Sequence, residues 1–191
     1  MIEILLIFLQ ILFLSLVIFY SIPVLKYNIN ERNDLLDKLS INIIILTNLI
    51  LFFSLTNLND YILLAFLILL SLFFLIKKKE NILKKLDFKF FFAIFIIFII
   101  SLSLANKLDF GWDAKFFWFM KSINFYENEK LFNLHKLPAT DYPHLGSYLW
   151  SFFWKFPFNT YEYHGRIFYI FLYIISIFSF FDILKVNSLN K

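Results

Sequence analysis

The run "FKFFFAIFIIFIISLSLANKLDFGWDA", residues 88–114, decides the fold of this chain. Its first part, 88–106, carries one charged side chain and has the length that crosses a bilayer, about 20 apolar residues. Two carboxylates, Asp109 and Asp113, then follow on either side of Gly111, the first glycine of the chain. The sequence therefore changes here from an apolar, membrane-spanning helix to a segment that carries acidic residues and glycine.

The composition of the whole chain points to lipid as its solvent. Of the 191 residues, 61% are hydrophobic, whereas soluble domains average about 45–50%. One globular core of this size cannot bury that excess. Cysteine is absent, which excludes disulfides and thiolate metal sites. The formal net charge of +4 comes from lysines clustered beside apolar runs, which is typical of membrane topology and not of nucleic-acid binding.

Five apolar runs predict an all-α, polytopic membrane protein. Backbone groups in lipid need partners within their own segment, so each run should be a helix. The first run lacks the basic start and small-residue cleavage site of a signal peptide, and we expect it to span. The turn 56–60 should make a tight hairpin between the second and third runs. The runs are roughly 3–25, 39–58, 60–76, 88–106 and 166–184.

The distribution of basic residues predicts the orientation. The loops 26–38 and 77–89 hold three and six Lys or Arg, while residues 1–25 and the turn 56–60 hold none. By the positive-inside rule the two rich loops and the C-terminal tail are cytoplasmic. The chain then divides into four N-terminal spans (1–106), an external segment (107–165), and a fifth span with a short tail (166–191). We expect a multi-pass protein of the cytoplasmic (inner) membrane, with its N-terminus outside.

The external segment, 107–165, uses residue types that the spans avoid. It contains every Gly, Trp and His of the chain, as segments that carry function tend to. Two amphipathic helices are predicted within it, at about 112–126 and 143–156. Asp113 heads the first helix and shares a face with Lys121. On the second helix His144, Ser147, Ser151 and Lys155 form a polar stripe, which predicts a helix in the membrane interface with Trp and Phe facing lipid.

These motifs resemble a known loop. The stretches "GWDAKFFWFMKS" (111–122) and "DYPHLGSYLWSFFW" (141–154), with Arg166 at the next span, are similar to the first external loop of GT-C membrane glycosyltransferases. That class includes protein O-mannosyltransferases and aminoarabinose transferases. The resemblance covers about 100–185, roughly half of the chain. It implies a polyprenyl-phosphate-linked sugar as donor and transfer to an acceptor on the external face.

The resemblance also implies roles for individual residues. Asp113 would be the general base that takes the proton of the acceptor hydroxyl, and Asp109 competes for that role. No cofactor is required, although an Asp-bound Mg²⁺ or Mn²⁺ is known in related enzymes. The histidines have no metal-ligand spacing, so the sequence itself predicts no metal site. Substrate contacts are expected from Asp141, His144, Lys121 and Arg166, with Arg favoured for a phosphate because of its fork geometry.

Other interpretations remain open. Asp113 and Asp141 could serve as helix-start residues, Asp109 as a solvated loop acid, and Arg166 as an anchor of the last span. The family places its acidic loop after the first span and continues with many more, so we expect further membrane segments or a partner subunit. A non-catalytic membrane scaffold or assembly subunit is the alternative function. A transporter is disfavoured because no ionisable residue lies mid-span.

Overall fold

A computed structural model describes residues 2–21, 35–83, 88–106, 110–127, 129–136, 140–141, 143–156 and 161–189. Every regular element among these residues is a helix, so the predicted all-α class is confirmed. The α-helices are α1 (Ile2–Tyr20), α2 (Leu35–Ser54), α3 (Asp60–Leu83), α4 (Phe88–Asn106), α5 (Met120–Tyr126), α6 (Leu145–Trp154) and α7 (Tyr163–Leu189). A π-helical stretch, Ala114–Phe119, leads into α5, and Leu131–Lys136 forms 3₁₀ turns interrupted at Asn133.

Four helices in the described residues are long and apolar enough to cross a membrane. They comprise Ile2–Tyr20, Asp60–Lys77, Phe88–Asn106 and Tyr163–Phe181. The apolar part of α2, Leu39–Ser54, is shorter than the predicted run of 39–58. This helix ends early because the Leu55 amide bonds the Phe52 carbonyl at 3.2 Å, a tightened bond typical of a last turn.

The hairpin between α2 and α3 forms where the sequence predicts it. Asn59 caps α3, since its side-chain oxygen accepts the Tyr61 amide at 2.9 Å. Asp60 is therefore the first residue of the helix, where the positive end of the helix dipole favours a carboxylate. The cap fixes where α3 begins, and so it fixes the position of Asp60 at the hairpin tip.

Buried amides join the spans. Helix α1 contacts α2, α3, α4 and α7, and the Asn42 amide of α2 donates to the Ile18 carbonyl of α1 at 2.9 Å. The Asn48 amide, by contrast, donates to the Ile44 carbonyl at 2.8 Å within α2 itself. The Gln10 amide of α1 donates to the Phe153 and His164 carbonyls, at 2.9 and 3.2 Å, and so ties α1 to both α6 and α7.

The aromatic segment, meaning the described residues of 110–156, packs against the bundle. Helix α6 lies between α5 and α7 and is buried from Ser147 to Trp154. The prediction that its polar stripe faces water is wrong. The Ser147 hydroxyl donates to the Trp118 carbonyl at 3.0 Å and the Lys155 ammonium to the Phe125 carbonyl at 3.1 Å. The stripe faces the neighbouring helix because buried donors need carbonyl partners.

The first predicted amphipathic helix is formed by the π-helical stretch and α5 together. Its exposed face is apolar, with Trp112, Phe116 and Met120 following each other at four-residue spacing. Lys121, expected on a polar face with Asp113, is instead fully buried while Asp113 is exposed. The two charges therefore do not share one water-facing surface. An exposed apolar face of this kind is the side that suits contact with lipid.

Helices α6 and α7 approach closely at one glycine. A Cβ built on Gly165 would lie 2.1 Å from the Trp150 carbonyl oxygen. This is a steric clash with the backbone, and only a shift of one of the two helices could relieve it. By contrast, a Cβ on Gly111 meets no atom within 4 Å. Gly165 therefore sets the distance between the two helices, since no larger residue fits there.

We expect Gly165→Ala to lower the free energy of unfolding by about 1–3 kcal/mol, the usual cost of an overpacked contact. Gly111→Ala, the matched control, should leave it unchanged. Thermal unfolding of both variants in one detergent measures the difference. Equal melting temperatures would show that α6 and α7 are not packed at Gly165.

Candidate functional site

A groove opens where the π-helical stretch, α6 and α7 meet. Its volume is about 390 Å³, which is within the range of sites for small molecules. The accessible walls are almost entirely apolar surface, and Arg166 is the charged residue among those that line them. The lining residues are Ala114, Trp118, Gly146, Ser147, Trp150, Arg166 and Tyr169.

Arg166, predicted as a substrate contact, is the cation of this groove. Its guanidinium lies over the rings of Phe110 and Trp150, with centroid distances of 4.6 and 5.5 Å. Such stacking holds the planar group in one orientation. One nitrogen, Nη2, donates to Glu162 Oε1 at 2.6 Å. Arg166 is therefore both an anchor at the start of α7 and a cation beside the groove.

The ion pair between Arg166 and Glu162 is incomplete. Arg166 Nε and Glu162 Oε2 are both buried, and neither has a hydrogen-bond partner among the described residues. Burial raises the pKa of Glu162, and the attraction of Arg166 only partly opposes that shift. The Glu162 backbone is fixed separately, because its carbonyl accepts the Trp150 indole N–H at 3.0 Å. The side chain can therefore change partner without moving the helix start.

Asp113 lies next to the groove-lining residue Ala114 in the chain. It is exposed, and no hydrogen bond or ion pair joins it to another described residue. Its backbone is already helical, at φ −61° and ψ −42°, and its side chain makes no capping bond. The alternative role of helix cap therefore finds no support in this geometry. Within the described part of the chain this carboxylate is therefore open to contact with an acceptor.

Lys121 and Asp141 are near enough to interact, although one is buried and the other exposed. The Lys121 ammonium lies 5.7 Å from the ring centroid of Trp118, a wall of the groove. Burial lowers the pKa of Lys121, and the charge of Asp141 opposes this shift. Of these two predicted residues, Lys121 is thus the one that the structure places beside a residue of the groove wall.

The remaining predicted residues are less informative. His144 Nε2 lies 3.0 Å from the Thr140 carbonyl, so the ring is engaged in the turn before α6. Asp109 falls outside the described residues. Among the residues that the structure describes, no three His, Asp or Glu side chains gather as a metal site would require.

A buried charge cluster below the groove was not predicted. Asp60 at the start of α3 contacts the ammonium groups of Lys130 and Lys155 and accepts the Tyr148 hydroxyl. Asp60 and Lys155 are fully buried, and Lys130 is nearly so. The cluster joins the hairpin tip to three parts of the aromatic segment. It is the main polar connection between that segment and the bundle.

Among the described residues, this cluster contains one carboxylate and two amines. A buried charge without a partner costs several kcal/mol, so the contacts of both amines matter for stability. Burial lowers the pKa of Lys155, and Asp60 partly opposes the shift. Lys155 Nζ donates to two acceptors, Asp60 Oδ2 and the Phe125 carbonyl. Lys130 Nζ lies 5.4 Å from the centroid of the Phe53 ring.

Removal of the carboxylate should release the aromatic segment. We expect Asp60→Asn to reduce the free energy of unfolding by about 3–5 kcal/mol, because it leaves buried amines without their counter-charge. Asp113→Asn is the matched control, an exposed acid whose loss should cost no more than about 0.5 kcal/mol. Unfolding by SDS in mixed micelles supplies the measurement.

The double variant Asp60→Asn, Lys155→Met provides a further control. It should recover part of the lost stability, because it removes one of the orphaned amines. If Asp60→Asn and Asp113→Asn unfold alike, the Asp60 cluster is not a source of stability.

Comparison with known proteins does not assign the chain to a family. No family model matches it, and neither the curated proteins nor the solved structures give a significant match. Its function has to be inferred from the groove and the residues around it.

Proposed function

We propose that the chain acts as a GT-C-like membrane glycosyltransferase, or as part of one, with the groove beside Arg166 binding a polyprenyl-phosphate-linked sugar. The observation that carries this proposal is an apolar groove with Arg166 in its lining, together with an exposed carboxylate, Asp113, one position before the lining residue Ala114 in the chain. A donor of this class has an apolar chain and an anionic phosphate, and the groove offers a complement to each.

The two ends of such a donor would use different parts of the groove. The aromatic walls, Trp118 and Trp150, suit the isoprenoid chain, which gains by leaving water. Arg166 suits the phosphate, since a guanidinium makes short charge-assisted bonds to phosphate oxygens. The sugar would then project toward the exposed side, where Asp113 lies.

The proposed reaction needs one base. The Asp113 carboxylate would accept the proton of an acceptor hydroxyl while the hydroxyl oxygen bonds to the anomeric carbon. The bond from that carbon to the phosphate oxygen breaks, and polyprenyl phosphate leaves with the electron pair. Because attack comes from the side opposite the leaving group, the configuration at the anomeric carbon would invert. Lys121 and Asp141 would hold the wall of the site from behind.

The proposed orientation puts the groove outside the cytoplasmic membrane. Contact between Asp60 of the hairpin tip and Lys130 of the aromatic segment supports this, because both then lie at one end of the bundle. The count of basic residues independently requires the same side for both. The N-terminus would be external and the C-terminus cytoplasmic.

A single cysteine tests the orientation cleanly, since the chain has none of its own. We expect Asp113→Cys to react with an impermeant maleimide in intact cells. A cysteine at Lys79, in the basic stretch at the end of α3, should react only after permeabilisation. Labelling at position 79 but not at 113 in intact cells would place the groove in the cytoplasm and exclude the proposed donor side.

A second function remains as the alternative: a non-catalytic scaffold or assembly subunit. The exposed apolar face of Trp112, Phe116 and Met120 favours it, because a partner's membrane segment could cover that surface as well as lipid could. Such a role makes no use of Asp113. The two functions therefore differ in what loss of this carboxylate does.

We expect Asp113→Asn to abolish transfer, with a loss of at least about 100-fold, the usual contribution of a general base. The matched control is Glu127→Gln, which removes an exposed acid at the other end of the same helix. The assay is release of labelled sugar from polyprenyl-phosphate mannose and polyprenyl-phosphate aminoarabinose in membranes containing the protein. Transfer that survives in Asp113→Asn would remove this residue as the base, and no transfer by the wild type would favour the scaffold.

A further inference from the structure

Glu162 is the nearest anion to the cation of the groove. The pair is an i,i+4 contact at the start of α7, made through a single bond from Arg166 Nη2 to Glu162 Oε1. A guanidinium and a carboxylate can make two parallel bonds, and they do so where geometry allows. Here the second donor, Nε, and the second acceptor, Oε2, are both buried and have no hydrogen-bond partner among the residues that the structure describes. The pair therefore makes one of the two parallel hydrogen bonds that a guanidinium and a carboxylate can share.

The guanidinium itself is not free to turn away. It is held over Phe110 and Trp150, and Arg166 is among the residues that line the groove. Any anionic ligand that enters must share this cation with Glu162 or displace it. The displaced carboxylate could reach water, because about 14% of its side chain is exposed.

We propose that Glu162 is an internal competitor for Arg166, which occupies the guanidinium until an anionic ligand with two oxygens replaces it. This inference rests on the proposed function only in taking the groove as an anion-binding site. A phosphate diester would satisfy two guanidinium donors, where Glu162 satisfies one. Glu162 thereby selects against weak, single-oxygen anions, which gain nothing by the exchange.

The same competition makes binding depend on pH. Once Glu162 takes up a proton it no longer opposes an anion, so affinity should rise as the pH falls. Burial raises the pKa of Glu162, so this protonation occurs at a higher pH than in a solvated glutamate. The groups facing it are Arg166 on α7 and Trp150 on α6. Tyr161, Tyr163 and His164 are adjacent, and Glu3 of α1 acts on the last two.

The test uses polyprenyl-phosphate mannose as the probe. Its phosphate is a diester, so it lacks the titration near pH 6 that a phosphate monoester has. Binding to the protein in nanodiscs is followed by tryptophan fluorescence, since Trp118 and Trp150 line the groove. We expect Glu162→Gln to bind about 3- to 10-fold more tightly than the wild type at pH 7.5, as loss of a partly exposed competing ion pair should give.

The pH series separates this role from a structural one. Wild-type affinity should rise between pH 7.5 and 4.5, whereas Glu162→Gln should vary less across the same range. Arg166→Gln should lose the binding in both backgrounds. If Glu162→Gln and the wild type bind polyprenyl-phosphate mannose equally well, Glu162 is not a competitor. The groove would still be an anion-binding site in that case.

Failure of both proteins to bind, with unchanged melting temperatures, would overturn the groove as an anion site and the competitor with it. If Glu162→Gln does not fold, the wild-type series decides alone. An affinity that stays constant from pH 7.5 to 4.5 would then contradict the inference.

Discussion

The architecture depends on the burial of one carboxylate, Asp60, at the tip of the α2–α3 hairpin. Its burial is tolerable because three kinds of group stabilise its negative charge: the positive end of α3, two amines, and the Tyr148 hydroxyl. The side-chain partners come from two places in the aromatic segment, Lys130 from one and Tyr148 and Lys155 from helix α6 and its C-cap. The requirement to satisfy this charge therefore specifies how that segment sits on the bundle, and apolar packing alone, which is non-directional, would not.

The groove follows from that placement. Helix α6 carries Tyr148 and Lys155 on the side of the Asp60 cluster and Gly146 and Trp150 on the side of the groove. Its position relative to α7 is then set by the close approach at Gly165. A change in either contact would move a wall of the groove. The Asp60 cluster and the groove thus lie on two different sides of helix α6.

The sequence predicted those features that depend on local pattern. Long apolar runs and the absence of basic residues in the turn 56–60 were enough for the all-α membrane fold and the hairpin. The sequence did not predict contacts between distant positions, such as that of Asp60 with Lys130, seventy positions away. Only its place as an acid opening an apolar span signalled something unusual.

Helix α6 shows why a pattern misled. Its few polar positions suggested a water-facing stripe, yet a helix that is apolar over nearly its whole circumference belongs in a core. That signal was present in "LGSYLWSFFW", residues 145–154, and favoured burial. For Arg166, the sequence indicated a cation at the start of the last span, and the structure adds its groove and its partner, Glu162. Spacing along a helix could have suggested that pair.

The claim at the centre of this account is that an amphiphilic anion occupies the groove between the π-helical stretch, α6 and α7. A polyprenyl phosphate bearing a photoreactive diazirine, cross-linked to the protein in nanodiscs and mapped by peptide mass spectrometry, tests it directly. We expect labelling concentrated at Trp118, Trp150 and Tyr169, and loss of that labelling in Arg166→Gln. Labelling confined to the outward faces of α1, α3 and α4, unchanged in Arg166→Gln, would contradict it.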